Sequence, residues 1–251
     1  MKIAVCIKRV PDMDVKFKIA ASGTAVDETG LKYDMSDFDG YAAEAALQIN
    51  EKGGGGEITA ICLGPDAVGE TLRKALSMGI DKAVQLKCDA VPFDGFAIAQ
   101  ALAAELRGGA YDLILFGRMS IDSSNQSVGP MVAELLGLPC VTAASRLDVS
   151  AKTSGTAQRE LEGASETVSF PLPAVVSIDE GVARPRYPSL KGIMSAKKKP
   201  LEVKPAQLGA VTVTVTRMEL PPERNAGRII GEGPDAVPEL VRLLQTEAKV
   251  L

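Results

Sequence analysis

The sequence predicts an α/β protein built on an open, mostly parallel sheet with helices on both faces. Three observations lead there. Short, continuous apolar runs recur along the first two thirds of the chain, as strands buried on both faces require. Between them lie helix-length stretches with a stripe of Ala, Leu and Ile, most of them closed by glycine. The 251-residue chain is also 46% hydrophobic and 24% charged, which suits an ordinary globular fold. Strands alternating with helices of this length make βαβ units and hence a parallel sheet.

The first strand is KIAVCI at 2–7. VKFKIA at 15–20 then alternates, and with Gly23 and Gly30 behind it suggests a hairpin. Ser36 is placed to cap a helix over 38–51, where Tyr41, Ala42, Ala45, Ala46 and Ile49 form one apolar stripe. Gly53–Gly56 stops it; no Lys-Ser or Lys-Thr follows, so the run is a link and not a phosphate cradle. The unit then repeats: strand 57–64 and helix 66–78, strand 83–88 and helix 94–107, strand 111–117 and helix 128–136, then strand 139–149.

After residue 150 the texture changes. TAQRELEG and SETVSFPL alternate around Gly163, predicting a small antiparallel hairpin, and PAVVSID at 173–179 returns as an apolar strand. Residues 180–200 show little periodicity, and from 201 the chain reads as an extended arm with a last helix near 235–247. The expected organisation is an α/β nucleotide-binding domain over 1–183, a loop with a basic flank over 184–200, and a C-terminal arm over 201–251.

Composition excludes much chemistry. Histidine is absent, which removes Ser-His-Asp and Cys-His nucleophile systems and His-ligated metals and haem. Net charge is −4, against a nucleic-acid surface. Cys6, Cys62, Cys88 and Cys140 have no metal-like spacing, and the expectation is free thiols in a reducing compartment, cytoplasmic in a bacterial setting. No apolar run reaches the roughly 20 residues of a membrane span, so no direct membrane insertion is expected.

In an open parallel sheet, ligands bind beyond the carboxyl ends of the strands. Four segments fall there: Cys6–Val10, Ser36–Asp39, Leu63–Asp66 and Gly117–Val128. The last, GRMSIDSSNQSV, is rich in hydroxyls and amides and leads into a helix whose first turn holds Pro130. The N–H groups of Ser127, Val128 and Gly129 are positioned there to meet an anion. Neither a Walker A pattern nor GxGxxG is present.

Several strings carry a resemblance: KRVPD (8–12), MSDFDGYAAEAAL (35–47), CLGP (62–65), ETLRKALSMGIDKA (70–83), GRMSID (117–122) and above all RPRYPSLKGIMSAKKKP (184–200). Over essentially its whole length the chain resembles the β subunit of an electron transfer flavoprotein. The resemblance implies a Rossmann-like sheet of the adenine-nucleotide α-hydrolase kind. It also implies an obligate heterodimer with an α subunit that holds most of a redox-active FAD, and an AMP buried in the β subunit's own crevice. The chain itself is then an electron carrier subunit without catalytic residues.

Carried over by position, the nucleotide contacts fall on Cys6, Ser36, Asp37, Phe38, Asp39 and Leu63. They continue through Gly117, Arg118, Met119, Ser120, Ile121, Asp122, Ser123, Ser124, Asn125, Gln126, Ser127 and Val128. Phe38 and Met13 fall on the flavin wall, Met13 standing where the family often has Tyr. Leu190, flanked by Pro188 and Met194, matches an exposed leucine that docks acyl-CoA dehydrogenase-type donors. The resemblance also implies a membrane quinone oxidoreductase as the acceptor and an arm that clasps the α subunit. Electron-bifurcating members carry a Gly-Asp-Thr-Ala-Gln run and a second FAD that reacts with NADH in place of AMP; here Ser123–Ser127 stand instead. The expectation is AMP, with the second FAD as the alternative. An adenylating enzyme needs a pyrophosphate loop after the first strand, where Lys8–Asp12 stand.

Overall fold

The computed structural model describes residues 1–149, 153–223 and 226–251. The chain forms two compact units, 1–217 and 218–251. The first runs β1 (Lys2–Ile7), β2 (Arg9–Pro11), β3 (Tyr33–Met35), α1 (Asp37–Lys52), β4 (Glu57–Gly64), α2 (Val68–Met78), β5 (Lys82–Lys87), α3 (Gly95–Arg107), β6 (Leu113–Gly117) and α4 (Val128–Leu136). It continues through β7 (Cys140–Asp148), β8 (Ser154–Leu161), β9 (Ala164–Pro171), β10 (Ala174–Ile178), α5 (Leu190–Ala196) and β11 (Leu201–Pro205). The second unit holds a 3₁₀ turn at Pro234–Ala236, α6 (Val237–Leu243) and a π turn at Leu244–Ala248, where the sequence predicted the last helix.

Nine strands make one sheet in the order β11-β5-β4-β1-β6-β10-β7-β8-β9, parallel from β11 to β7 and antiparallel through the β8–β9 hairpin. The apolar runs behave as their pattern requires, because alternate residues serve opposite faces. Ile3 and Val5 of β1 join Ile58 and Ala60 of β4 under α1 and α2. Ala4, Cys6, Ile61 and Leu63 face α3 and α4 on the other side. Each fully buried Ile or Leu here contributes roughly 1.5–3 kcal/mol. The expected fold class is therefore the observed one.

Local expectations needed correction where no core dictated them. Residues 15–20 form no strand; a lone bridge joins Ile19 to Val26, and pairing goes instead to β2 with β3. A two-stranded ribbon with no sheet to cover is marginal in water. Ser36 does precede α1 but makes no side-chain cap bond. Residues 190–196, too short for a periodic signal, form α5, capped by Ser189 accepting from the Gly192 N–H at 3.1 Å. The stretch read as an arm from 201 opens with an edge strand, Leu201 pairing Ala83.

Candidate functional site

From β1 the chain moves to β4 and β5 on one side, then crosses to β6 on the other. Loops leaving the carboxyl ends of β1 and β6 therefore diverge, and a crevice opens where the strand order reverses. A cleft of about 780 Å³, open solvent included, lies there. One wall is apolar, built from Leu63 at the end of β4, Phe116 of β6, and Ile98 and Leu102 of α3. The facing wall is the loop from Gly117 into α4, with Ser120, Ser123, Asn125, Gln126 and Ser127. An apolar slot beside a row of hydroxyls and amides is the donor set that suits a flat base carrying a sugar and a phosphate.

A buried carboxylate holds the floor together. Asp39, in the first turn of α1, accepts the N–H of Lys8 at 2.8 Å and that of Gly117 at 3.0 Å. Burial pushes its carboxyl up to about 7 in spite of both donors. Gly117 is required at this contact, because a Cβ there would strike the Asp39 carboxylate and the Phe38 backbone. Beyond it, the Lys8 ammonium reaches across to Asp122 Oδ1 at 2.7 Å and Ser120 Oγ at 3.2 Å. Asp122 is half-buried, but Lys8 and Ser120 outweigh that and hold its carboxyl below the usual range. Arg118, the other cation at the mouth, bonds Asp179 at 2.7 Å. Both cations lining the cleft are thus already paired.

The loop itself is strained. Ser124 (φ 51°) and Gln126 (φ 54°) both occupy the left-handed region, which costs non-glycine residues roughly 1–3 kcal/mol each. Strain of this kind persists where the surroundings fix it. The Ser124 N–H donates to the Ser120 carbonyl at 2.9 Å, and the Ser120 and Ser123 hydroxyls lie 2.8 Å apart.

Twelve of the expected nucleotide residues line the cleft: Cys6, Asp39, Leu63, Gly117, Arg118, Met119, Ser120, Ser123, Asn125, Gln126, Ser127 and Val128. Ser36, Asp37, Phe38, Ile121, Asp122 and Ser124 do not. Ser36 is buried with its hydroxyl unpartnered among the described residues, and Asp37 is exposed. Lys8, one residue past the end of β1, lies inside the strand-end segment Cys6–Val10 that the sequence placed at the ligand face, although it was not singled out as a contact. Sequence reasoning missed Ile98 and Leu102, and Ser177 on β10, whose insertion beside β6 leaves no trace in the sequence. Met13 is exposed, and Phe38 is half-buried edge-to-face against Tyr41 at 5.9 Å. Cys6 and Cys62 are buried, and burial pushes both thiols up, Cys62 to about 12. The described residues hold no cluster of His, Cys, Asp or Glu able to bind a metal, and no helix long and apolar enough to cross a membrane.

A second feature stands apart from the cleft. Arg186 lays its guanidinium on two carboxylates of α1, Glu44 at 2.8 Å and Glu51 at 2.6 Å. Burial would raise the Glu44 carboxyl, but the Arg186 bonds hold it below its usual range. Lys199 donates to the carbonyl of Leu76 in the last turn of α2 at 3.1 Å and to that of Ile80 just beyond the helix at 2.6 Å. It is therefore no solvated charge, unlike Lys197 and Lys198. Arg73 bonds the carbonyls of Ala196 and Lys199. On this anchored base Leu190 is 82% and Met194 71% exposed, so neither folds back onto the core, while Pro188 is half-buried.

Comparison with known proteins follows the same lines. A family model described as the electron transfer flavoprotein domain matches residues 23–208. The chain is 37% identical over 262 residues to electron transfer flavoprotein subunit beta of Bacillus subtilis, with both chains fully covered. It is 37% identical over 258 residues to the mitochondrial subunit beta of Oryza sativa subsp. japonica, again over all of both chains. Against the human subunit beta it is 34% identical over 247 residues, 96% of each chain.

Proposed function

Since the chain belongs to the electron transfer flavoprotein β-subunit family, we propose that it pairs with an α subunit to carry electrons on a shared FAD and holds one AMP in its own cleft. The observation that carries the AMP reading is the cleft loop: Ser123–Ser127 stand where members with a second FAD carry Gly-Asp-Thr-Ala-Gln, and both cleft cations are already paired, Lys8 with Asp122 and Arg118 with Asp179. Uncharged hydroxyls and amides, with the start of α4, are left to meet the ligand. That set gathers its backbone donors at one place, the start of α4, and so suits a single phosphate group. Leu63, Ile98, Leu102 and Phe116 would enclose the adenine; Ser120, Ser123, Asn125, Gln126 and Ser127 would hold the ribose and phosphate.

A flavin bound between the subunits supplies the electron-carrying chemistry. Toward it this chain offers Met13 and Phe38, a thioether and a ring on neighbouring segments, with Phe38 fixed by Tyr41. Leu190, Met194 and Pro188 form a small apolar knob for transient docking of acyl-CoA dehydrogenase-type donors, with a membrane quinone oxidoreductase as the acceptor. The stretch after β11, including residues 218–251, would clasp the α subunit. Four free cysteines fit a reducing compartment, cytoplasmic in a bacterial setting.

Acid extraction of the purified heterodimer and quantitation of its nucleotides tests the reading. The expected content is one FAD and one AMP. Two FAD and no AMP would overturn the AMP assignment in favour of a bifurcating type.

A further inference from the structure

Among the cleft's polar groups, Asp39 stands out because each of its oxygens already accepts a backbone N–H from a strand tip. The residue is 6% exposed and sits in the first turn of α1. Oδ2 takes the Lys8 N–H and Oδ1 the Gly117 N–H. The last paired positions of β1 and β6 are Cys6 and Phe116. The carboxylate therefore takes over where the ladder ends, tying together the two tips from which the cleft's loops depart. We propose that Asp39 is a positioning residue: its ionised carboxylate staples the tips of β1 and β6 and so sets the gap in which the adenine nucleotide lies. The inference rests on the nucleotide reading above and deepens it, assigning Asp39 to the frame of the site and not to the ligand.

The staple reaches the binding loop by two routes. At Gly117 it fixes the first residue of the loop that supplies Ser120 through Ser127, and no larger residue fits against it. At Lys8 it fixes the backbone whose side chain spans to Asp122, Ser120 and Ser123. Without the carboxylate two buried N–H groups lose their acceptor, a loss that costs more than the bonds are worth when made. The tips then separate or rotate to find water, and the loop moves with them.

Titration offers a readout that a merely structural role would not move. The groups facing Asp39 are the Lys8 ammonium, the Asp122 carboxylate, and the thiols of Cys6 on β1 and Cys62 on β4. Burial keeps both thiols protonated at neutral pH, and Asp122 is held ionised by Lys8. Asp39 alone of these carboxyls and thiols changes charge near pH 7. Once protonated, one oxygen becomes a donor facing an N–H, and the staple fails on that side.

The test is calorimetric titration of AMP, and of adenosine, into the nucleotide-depleted heterodimer at about pH 8 and about pH 6, for the wild type and for Asp39→Asn. In the wild type, affinity for AMP should fall roughly tenfold on acidification beyond the part set by the AMP phosphate, whose second proton titrates near about pH 6, and adenosine, which has no phosphate, should show the tenfold fall by itself. In Asp39→Asn it should be weak at both values and change only with the AMP phosphate's own titration, adenosine showing no pH step, since the amide offers one oxygen where the carboxylate offered two. Because the wild-type profile needs no variant, poor folding of Asp39→Asn leaves the inference testable. Wild-type affinity for adenosine that is equal at both pH values would overturn the staple alone. Failure of the wild type to bind AMP at either pH would overturn the nucleotide reading, and the staple with it.

Discussion

The floor of the cleft and the base of α5 use charge in opposite ways. At the cleft a buried carboxylate, Asp39, bonds backbone N–H groups only. In the segment leading into α5 a half-exposed guanidinium, Arg186, bonds carboxylates on α1. The first arrangement is dry and fixes two strand tips to each other. The second is wet on one side and fixes a loop to a helix, leaving Leu190 and Met194 in solvent. A site that keeps its ligand benefits from groups preorganised below the surface, whereas a docking knob needs a firm base and a free tip. In both, the charged residues hold the frame and uncharged residues are left for contact.

The largest expected departure between the two regions is in pH. Asp39 has a folded pKa near 7, above its unfolded value, so its stabilising share is complete below about pH 4 and is lost as pH rises through 7. In nucleotide-free protein, urea titrations of wild type and Asp39→Asn should show the difference shifting against the wild type by about 3 kcal/mol between about pH 5 and 8. A parallel pair of curves would remove the distinction drawn for the cleft. Arg186→Ala comes next: it leaves Glu44, whose side chain is 4% exposed, with the Gln48 amide but no cation beside it, and should cost about 2 kcal/mol. Glu44→Gln in that background should recover part of the loss.

Smaller still is a local effect at Asp94, the cap of α3. It also receives the Thr212 N–H and hydroxyl at 2.7 and 2.8 Å, and its carboxyl is held down at about 2 by those donors. Its contribution is present above its unfolded pKa and is lost as pH falls through about 2. Asp94→Asn should speed amide hydrogen exchange at Thr212 and Val213 while leaving the sheet strands protected. The smallest stability change belongs to Leu190→Ala, within about 0.5 kcal/mol. That variant should nevertheless slow electron transfer from an acyl-CoA dehydrogenase with flavin content intact, and unchanged kinetics would take the docking role away from α5.

How much of this was legible depends on what fixes each residue. Runs such as KIAVCI and YDLILFG announce strands because burial on both faces leaves no position for a polar side chain. The carboxyl-end segments follow from chain direction alone, which is why Cys6, Leu63 and Gly117 were found before any coordinates. Lys8 and Asp122 both fell within segments the sequence placed at the cleft, but their pairing was not legible, because it joins residues far apart in the chain. Ser177 was out of reach, since only the insertion of β10 between β6 and β7 brings it to the cleft. The left-handed Ser124 and Gln126 carry no sequence mark either, since Gly and Asn are the residues that signal that conformation.

The edge strand β11 sets the timetable of synthesis. Its partner β5 is made early, yet Ala83 waits for Leu201 before that flank closes. On the ribosome the β5 margin of the nascent sheet lies open until nearly the whole chain has emerged, showing unpaired N–H and C=O groups to any passing strand. A stop codon anywhere before residue 201 would leave β5 as the margin of the sheet in place of β11, whose Lys204 and Pro205 are residues that blunt an edge.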